Sequence, residues 1–217
     1  MARVDINVPY NEKDEAKKLG ARWDASGKTW YIPDGVSTNN FTRWLPFGNV
    51  LSSYWFIAQT PGRCWKCGRE TVMTSFLLPA GHKTLEQDED GQTYWKMQEL
   101  PAFIFYVDDI PERNLKKMEQ IRHYLAKDHS KTVNARYWMN HCQHCHMKQG
   151  DFQLHCEVDS VFSPNSSEAA SRIVLYRMEQ EFSASCSGTS LSHIHFRCGS
   201  EASFSTAGEW LPFMKII

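Results

Sequence analysis

Two pairs of cysteines set the chemistry this chain can do. Cys64-Trp65-Lys66-Cys67 and Cys142-Gln143-His144-Cys145 are both Cys-x-x-Cys. Together they supply four thiols at the spacing a tetrahedral zinc ion takes. A two-residue gap lets both sulfurs of a pair face one ion, with the following backbone amides aimed at the thiolates. Gly68 follows the first pair, where the tight turn needs positive φ; His146 and Met147 stand after the second. One pair alone reads equally well as a redox dithiol. Two read as one structural zinc held by Cys64, Cys67, Cys142 and Cys145.

The second pair is crowded with histidines: His141, His144, His146 and then His155. Four cysteines already close a tetrahedron, so these are expected to support the metal loops or lie on the surface. If one cysteine is not a ligand, His146, His155 or Cys156 is the first substitute. A catalytic zinc, by contrast, keeps one position open for water. Asp151 and His155 could form an acid–base pair, but no nucleophile stands near them in sequence. His193 and His195 share one face of an alternating stretch, which suits a metal pair or simply a polar strand face. Ser185-Cys186-Ser187-Gly188 lacks the flanking glycines of a hydrolase elbow. Glu86, Asp88 and Asp90 begin a calcium-loop pattern, but Met97 stands where a bidentate glutamate is required.

Composition narrows the classes. A 217-residue chain with 41% hydrophobic and 13% aromatic residues can pack more than one core. The formal charge is −1, and no long segment departs far from neutrality. That excludes a generally basic, phosphate-coating protein and leaves room only for a local basic patch. Seven cysteines are an odd number, and the knuckle pattern suits a reducing cytoplasm better than a disulfide framework. The first residues lack an apolar signal core, and no run of apolar residues is long enough to span a bilayer. The expected protein is cytoplasmic, with no membrane.

The elements that must position these residues follow from pattern. Residues 1–48 read as a small module: a strand from Arg3 to Val8, then a helix from about Glu12 to Leu19 stopped by Gly20. A hairpin follows, of Ala21–Asp24 and Thr29–Ile32 with Gly27 in its turn. Trp23, Trp30 and Trp44 are expected to form its core. Arg22, Lys28, Trp30 and Tyr31 mix cations and flat rings, which could stack on unpaired bases and hold phosphates, or meet a protein partner. Residues 49–217 read as a zinc-stabilised domain. Its strands are Leu51–Ala58, Thr71–Leu78, Thr93–Gln98 and Ala102–Val107. A helix is expected from Pro111 to about Ala126, because apolar residues recur at helical spacing there. A second helix runs from a Ser166 or Ser167 cap to about Phe182, and Ser183–Ser192 reads as a loop. Seventy-five positions separate Cys67 from Cys142, so the site looks like a zinc ribbon with a large insertion, and the expected fold class is α+β.

The run Val8-Pro9-Tyr10, Leu19-Gly20-Ala21-Arg22-Trp23-Asp24 and Lys28-x-Trp30-Tyr31-x-Pro33 resembles a small uncharacterised domain family of bacterial, phage and plasmid proteins. Members are often attached to primase-like and other DNA-processing domains. The resemblance covers only the N-terminal ~45 residues and implies company, not an activity: mobile elements and DNA metabolism. The stretch from Asn140 through the second knuckle to His155 resembles uncharacterised zinc-ribbon-like bacterial proteins. The leading expectation is a zinc-binding, non-catalytic adaptor in DNA-processing or defence assemblies. Its partner is either a protein or a nucleic acid. The alternatives are a zinc- or histidine-dependent hydrolase or nuclease, and a toxin or effector acting on a protein.

Overall fold

The computed structural model describes residues 3–6, 8–37, 40–41, 44, 48–89, 93–119, 121, 124–157, 160–190 and 207–217. Leu45, residues 90–92 of the acidic tip, His193, His195 and Cys198 lie outside the described residues.

The chain is a mixed α+β protein dominated by strands. At the N-terminus, β1 (Val4–Ile6), β2 (Arg22–Asp24) and β3 (Thr29–Ile32) form a sheet in the order β1-β3-β2, with α1 (Lys13–Lys18) between β1 and β2. Ala16 is the buried residue of α1. Gly20 takes φ +105°, a conformation open to glycine at no steric cost, and ends the helix. Ile6, Ala16, Trp30, Ile32, Phe41 and Trp44 build this module's core, and Trp95 packs against it.

The centre of the molecule is a nine-stranded sheet in the order β15-β13-β5-β6-β9-β14-β4-β7-β8. Its members are β4 (Val50–Ser52), β5 (Trp55–Arg63), β6 (Glu70–Leu78), β7 (Lys83–Gln87), β8 (Thr93–Met97), β9 (Ala102–Asp109), β13 (Val174–Met178), β14 (Phe182–Thr189) and β15 (Lys215–Ile216). Trp55 and Ile57 pack into one apolar cluster, with Phe76, Ile104 and Phe182. Phe56 and Ala58 pack into another, with Leu77, Phe103 and Leu175. Consecutive residues of a strand point to opposite faces, so β5 is covered on both. That is why its apolar run is continuous rather than alternating.

A second three-stranded sheet, β10-β11-β12, holds β10 (Leu125–Ser130), β11 (Ala135–His141) and β12 (Lys148–Gln149). The described fold also holds the short helices α2 (Glu112–Met118), α3 (Asp151–His155), α4 (Ser167–Ser171) and α5 (Ala207–Trp210), with 3-10 turns at Tyr10–Glu12 and Leu211–Phe213.

Several expected elements are different. The expected strand Leu51–Ala58 is two, because β4 pairs with β14 while β5 pairs with β6. β5 runs on past Ala58 through Pro61 and Gly62 up to the first knuckle. The helix expected to reach Ala126 ends at Met118. Tyr124 takes φ +53°, which no α-helix accommodates, and Leu125 is buried as the first residue of β10. Ser166 does cap a helix, its hydroxyl accepting from Ala169 N–H at 3.1 Å. That helix stops at Ser171, and Val174–Met178 pairs with β5 instead. Here β-branched and aromatic residues beside an open strand edge outweigh helical periodicity. The serine-rich stretch expected to be a loop is β14. Its first residues, Phe182–Ala184, pair with β4 and Ser185–Thr189 pair with β9. At Gly188 any side chain would collide with the Phe105 ring.

Candidate metal centre

The first knuckle leaves the end of β5 and returns into β6; the second leaves β11 and returns into β12. Each is closed the same way. Gly68 N–H donates to Cys64 C=O and His146 N–H to Cys142 C=O, both at 2.9 Å. Cys64 N–H donates to Arg69 C=O, and Cys142 N–H to Met147 C=O. Gly68 has φ +70° and His146 φ +56°. His146 therefore occupies the left-handed position that glycine takes in the first knuckle, at the steric cost of a Cβ.

The two knuckles face each other. Cys64 Sγ lies 3.6 Å from Cys145 Sγ, and Cys67 Sγ 3.7 Å from Cys142 Sγ. All four sulfurs are within 4.8 Å of one another. A tetrahedron of thiolates with metal–sulfur bonds of about 2.3 Å has edges of about 3.8 Å, so the spacing fits one ion. No other group of three or more histidine, cysteine or acidic side chains among the described residues converges in this way. Cys64 and Cys142 are buried, while Cys67 and Cys145 lie nearer the surface.

Donors surround the sulfurs. Lys66 N–H points at Cys64 Sγ and His144 N–H at Cys142 Sγ, both at 3.4 Å, and Gln149 Nε2 donates to Cys64 Sγ at 3.2 Å. Burial pushes the Cys64 thiol up, but the N–H groups of Cys67 and Lys66 and the neighbouring thiols outweigh it and hold it at about 6. Cys145 accepts from Met147 N–H, yet burial and the other three sulfurs push it up to about 11. Adjacent thiolates repel one another, and a bound cation would remove that repulsion.

The knuckles are also tied through polar side chains. Trp65 Nε1 donates to Lys148 C=O at 2.7 Å, and Trp65 N–H to Gln149 Oε1. Gln143 N–H donates to Thr71 Oγ1. Asn140 accepts from Thr74 N–H at 2.7 Å and donates to Thr74 C=O at 2.8 Å. Sequence reasoning places Asn140 and Gln149 in the stretch around the second knuckle but gives neither a role, although Gln149 stands only four residues after Cys145.

The other candidates have separate roles. His141 contacts Asp128 through Nε2 and Met139 C=O through Nδ1, both at 3.1 Å. His144 Nε2 meets Glu70 C=O at 2.9 Å. His155 Nε2 lies 3.2 Å from Ser75 Oγ in the interior, its ring stacked between Phe105 and Phe162. Burial pushes the Cys156 thiol up to about 11. Asp151 is buried and accepts from Tyr106 N–H at 2.6 Å; burial, opposed by that bond, lifts its carboxyl to about 7. Tyr106 has φ +52° beside a bulge in β9, and the Asp151 carboxylate steadies that strained backbone.

In the N-terminal module, Trp23 pairs with Trp30 and Arg22 with Tyr31 across the hairpin. Asp24 folds back over the turn. It accepts from Ser26 N–H and Oγ and from Gly27 N–H, and pairs with Arg3 at 2.7 Å. Ser26 above all, then Arg3, holds its carboxyl below the usual range. Trp30, proposed as a contact residue, is buried at 8% exposure, whereas Trp23, expected in the core, is 50% exposed. The two rings lie on one face of the hairpin, 5.5 Å apart, but Trp30 stands on the central strand β3 and Trp23 on the edge strand β2, which leaves Trp23 open. Arg22 and Lys28 are exposed, and Arg3 lies over the half-buried Tyr31 ring at 4.6 Å.

Residues 3–46 match the family described as a domain of unknown function, DUF5710. This DUF5710 segment also aligns with two curated proteins named DNA primase TraC, both from Escherichia coli. One is 59% identical over 42 residues, covering 19% of this chain and 3% of the primase. The other is 52% identical over 46 residues, covering 21% and 4%. The likeness thus links a small shared segment to proteins many times its length. No solved structure matches the chain. Among the described residues, no helix is long and apolar enough to cross a membrane.

Proposed function

We propose that this protein is a zinc-riveted, non-catalytic binding module that works alongside plasmid DNA-processing machinery in the cytoplasm. Four sulfurs converging within 4.8 Å carry the reading. A full set of four thiolates completes a tetrahedron and leaves no position for an activated water. Cys64, Cys67, Cys142 and Cys145 would hold the ion, which supplies binding energy to the fold rather than Lewis-acid chemistry. The architecture is then a ribbon-type site in which β7–β10 form a long insertion between the knuckles. Residues 1–48 are a DUF5710 module joined to a zinc domain of residues 49–217. The segment shared with DNA primase TraC supports the DNA-processing context. His155, which a hydrolase would use, is enclosed by phenylalanines.

Metal analysis of the purified chain, with X-ray absorption at the zinc edge, tests the reading. One zinc per chain with four sulfur neighbours is expected. A folded, metal-free protein, or a zinc with an oxygen ligand, would replace the rivet with a different reading.

A further inference from the structure

A cleft of about 610 Å³ opens beside the metal centre, between the first knuckle, the β10–β11 turn and α3. That volume suits a small planar group or part of a chain. Its walls carry Trp65, Phe152 and Val133, which are 58%, 57% and 44% exposed. Large apolar groups left in solvent on one cleft mark a binding surface. Trp65 is the informative one. Its Nε1 is held at 2.7 Å by Lys148 C=O and its backbone by Gln149. The ring is therefore fixed in place while most of it stays uncovered, so its ordering cost is already met before any ligand arrives.

Charges of both signs surround the cleft, the excess cations lying on the first knuckle, where Glu70 is also exposed. Lys131 and Lys148 line it, against Glu157, and Lys148 is paired with Asp128. Arg63, Lys66 and Arg69 flank Trp65 in the chain and are exposed. A chain of net charge −1 thus gathers cations beside two open aromatic rings. Rings and cations together are the complement of unpaired bases on a phosphate backbone; an apolar peptide would not call for the cations.

We infer that this cleft binds single-stranded nucleic acid, with bases stacking on Trp65 and Phe152 and phosphates meeting the knuckle cations. The inference deepens the binding-module reading and rests on it. The test is fluorescence anisotropy on the full, metal-loaded chain with a labelled oligo-dT of about 15 nucleotides. An abasic strand and a duplex of the same length serve as comparisons. The expected result is oligo-dT binding that weakens as salt rises, with the abasic strand roughly tenfold weaker. Phe152→Ala and Trp65→Ala should each lose roughly tenfold in affinity with metal content unchanged, while Trp65→Phe keeps most of it. Lys66→Glu should flatten the salt dependence by about 0.7 in log–log slope.

Unchanged binding in Phe152→Ala and Trp65→Ala would overturn the inference, as would equal binding of the abasic strand or preference for the duplex. Loss confined to Trp23→Ala would move the site to the DUF5710 segment and overturn it as well. Absence of any strand binding at low salt would overturn it in favour of a protein occupant. In every one of these cases the zinc reading stands or falls separately on metal analysis.

Discussion

Asn140 offers the sharpest test of how the two halves of the metal site are held. In β6, pairing with β9 covers only Phe76–Leu78. Toward the first knuckle the strand diverges, and Thr74, opposite Gln59 of β5, has its N–H and C=O directed away from that partner. The Asn140 carboxamide meets both, accepting from the N–H and donating to the C=O. A side-chain amide thus stands in for a missing strand, while the Asn140 backbone pairs within the smaller sheet. Asn140 is 2% exposed and Thr74 likewise 2%. Asn140→Ala removes two hydrogen bonds and leaves two interior backbone groups without partners, at about 1–3 kcal/mol each, so about 2–6 kcal/mol in all. Asn140→Asp keeps the acceptor but, when ionised, sets an oxygen against the Thr74 carbonyl. Protonation restores a donor, so the folded-state pKa of the new carboxyl lies above its unfolded value. Relative to the parent, this variant should therefore be least impaired below about pH 4 and lose further stability as pH rises toward 7. Urea unfolding of the metal-loaded variants, followed by far-ultraviolet circular dichroism, measures both. An Asn140→Ala protein within about 0.5 kcal/mol of the parent, or an Asn140→Asp deficit independent of pH, would refute the strand-substitute account.

Cys142→Ser should lose the ion and with it the stability that binding adds, about 2.7 kcal/mol when free metal stands at a hundred times its Kd; thermal unfolding with and without a chelator reads this. His146→Gly removes a Cβ from a left-handed residue and should raise the melting temperature, the gain of about 0.5–1 kcal/mol being the αL cost less the extra freedom of glycine in the unfolded chain. A lower melting temperature would show that the His146 ring contributes more than its backbone costs. Asp151 has its carboxyl raised to about 7 by burial. Its contribution is present below the unfolded value near 4 and lost as pH rises to 7, by about 4 kcal/mol in all, of which about 3 kcal/mol falls between pH 5 and pH 8. Asp151→Asn can still accept from Tyr106 N–H, so it should flatten that decline. Unfolding free energies at pH 5 and pH 8 decide it.

Local signals proved the most legible. The Cys-x-x-Cys pairs, the turn at Gly20 and the hairpin around Gly27 depend on residues within a few positions of each other, and those patterns survive in the fold. Elements whose identity rests on distant partners did not read correctly. Val174–Met178 is a strand because β5 offers it an edge, and the serine-rich Phe182–Thr189 is a strand because β9 and β4 flank it. Neither partner is near in sequence. Trp23, expected in the core beside Trp30 and Trp44, is open for a similar reason: both Trp23 and Trp30 are tryptophans on one hairpin, and packing against α1 and Phe41 decides which ring is covered. The cleft was invisible for the same cause, since Trp65, Val133 and Phe152 come from a knuckle, a strand-connecting turn and a helix that are far apart in sequence.

The 75 positions between the knuckles also impose an order on synthesis. At about 5–20 residues per second, roughly 4–15 s separate the emergence of Cys67 from that of Cys142. Throughout that interval the nascent β5–β6 hairpin carries a half-built cradle with only two of its sulfurs, open to oxidants and to stray soft metals. The finished clasp can lock only after most of the central sheet's strands have left the ribosome, so a translational pause or a fall in available metal would act on this protein at birth rather than after folding.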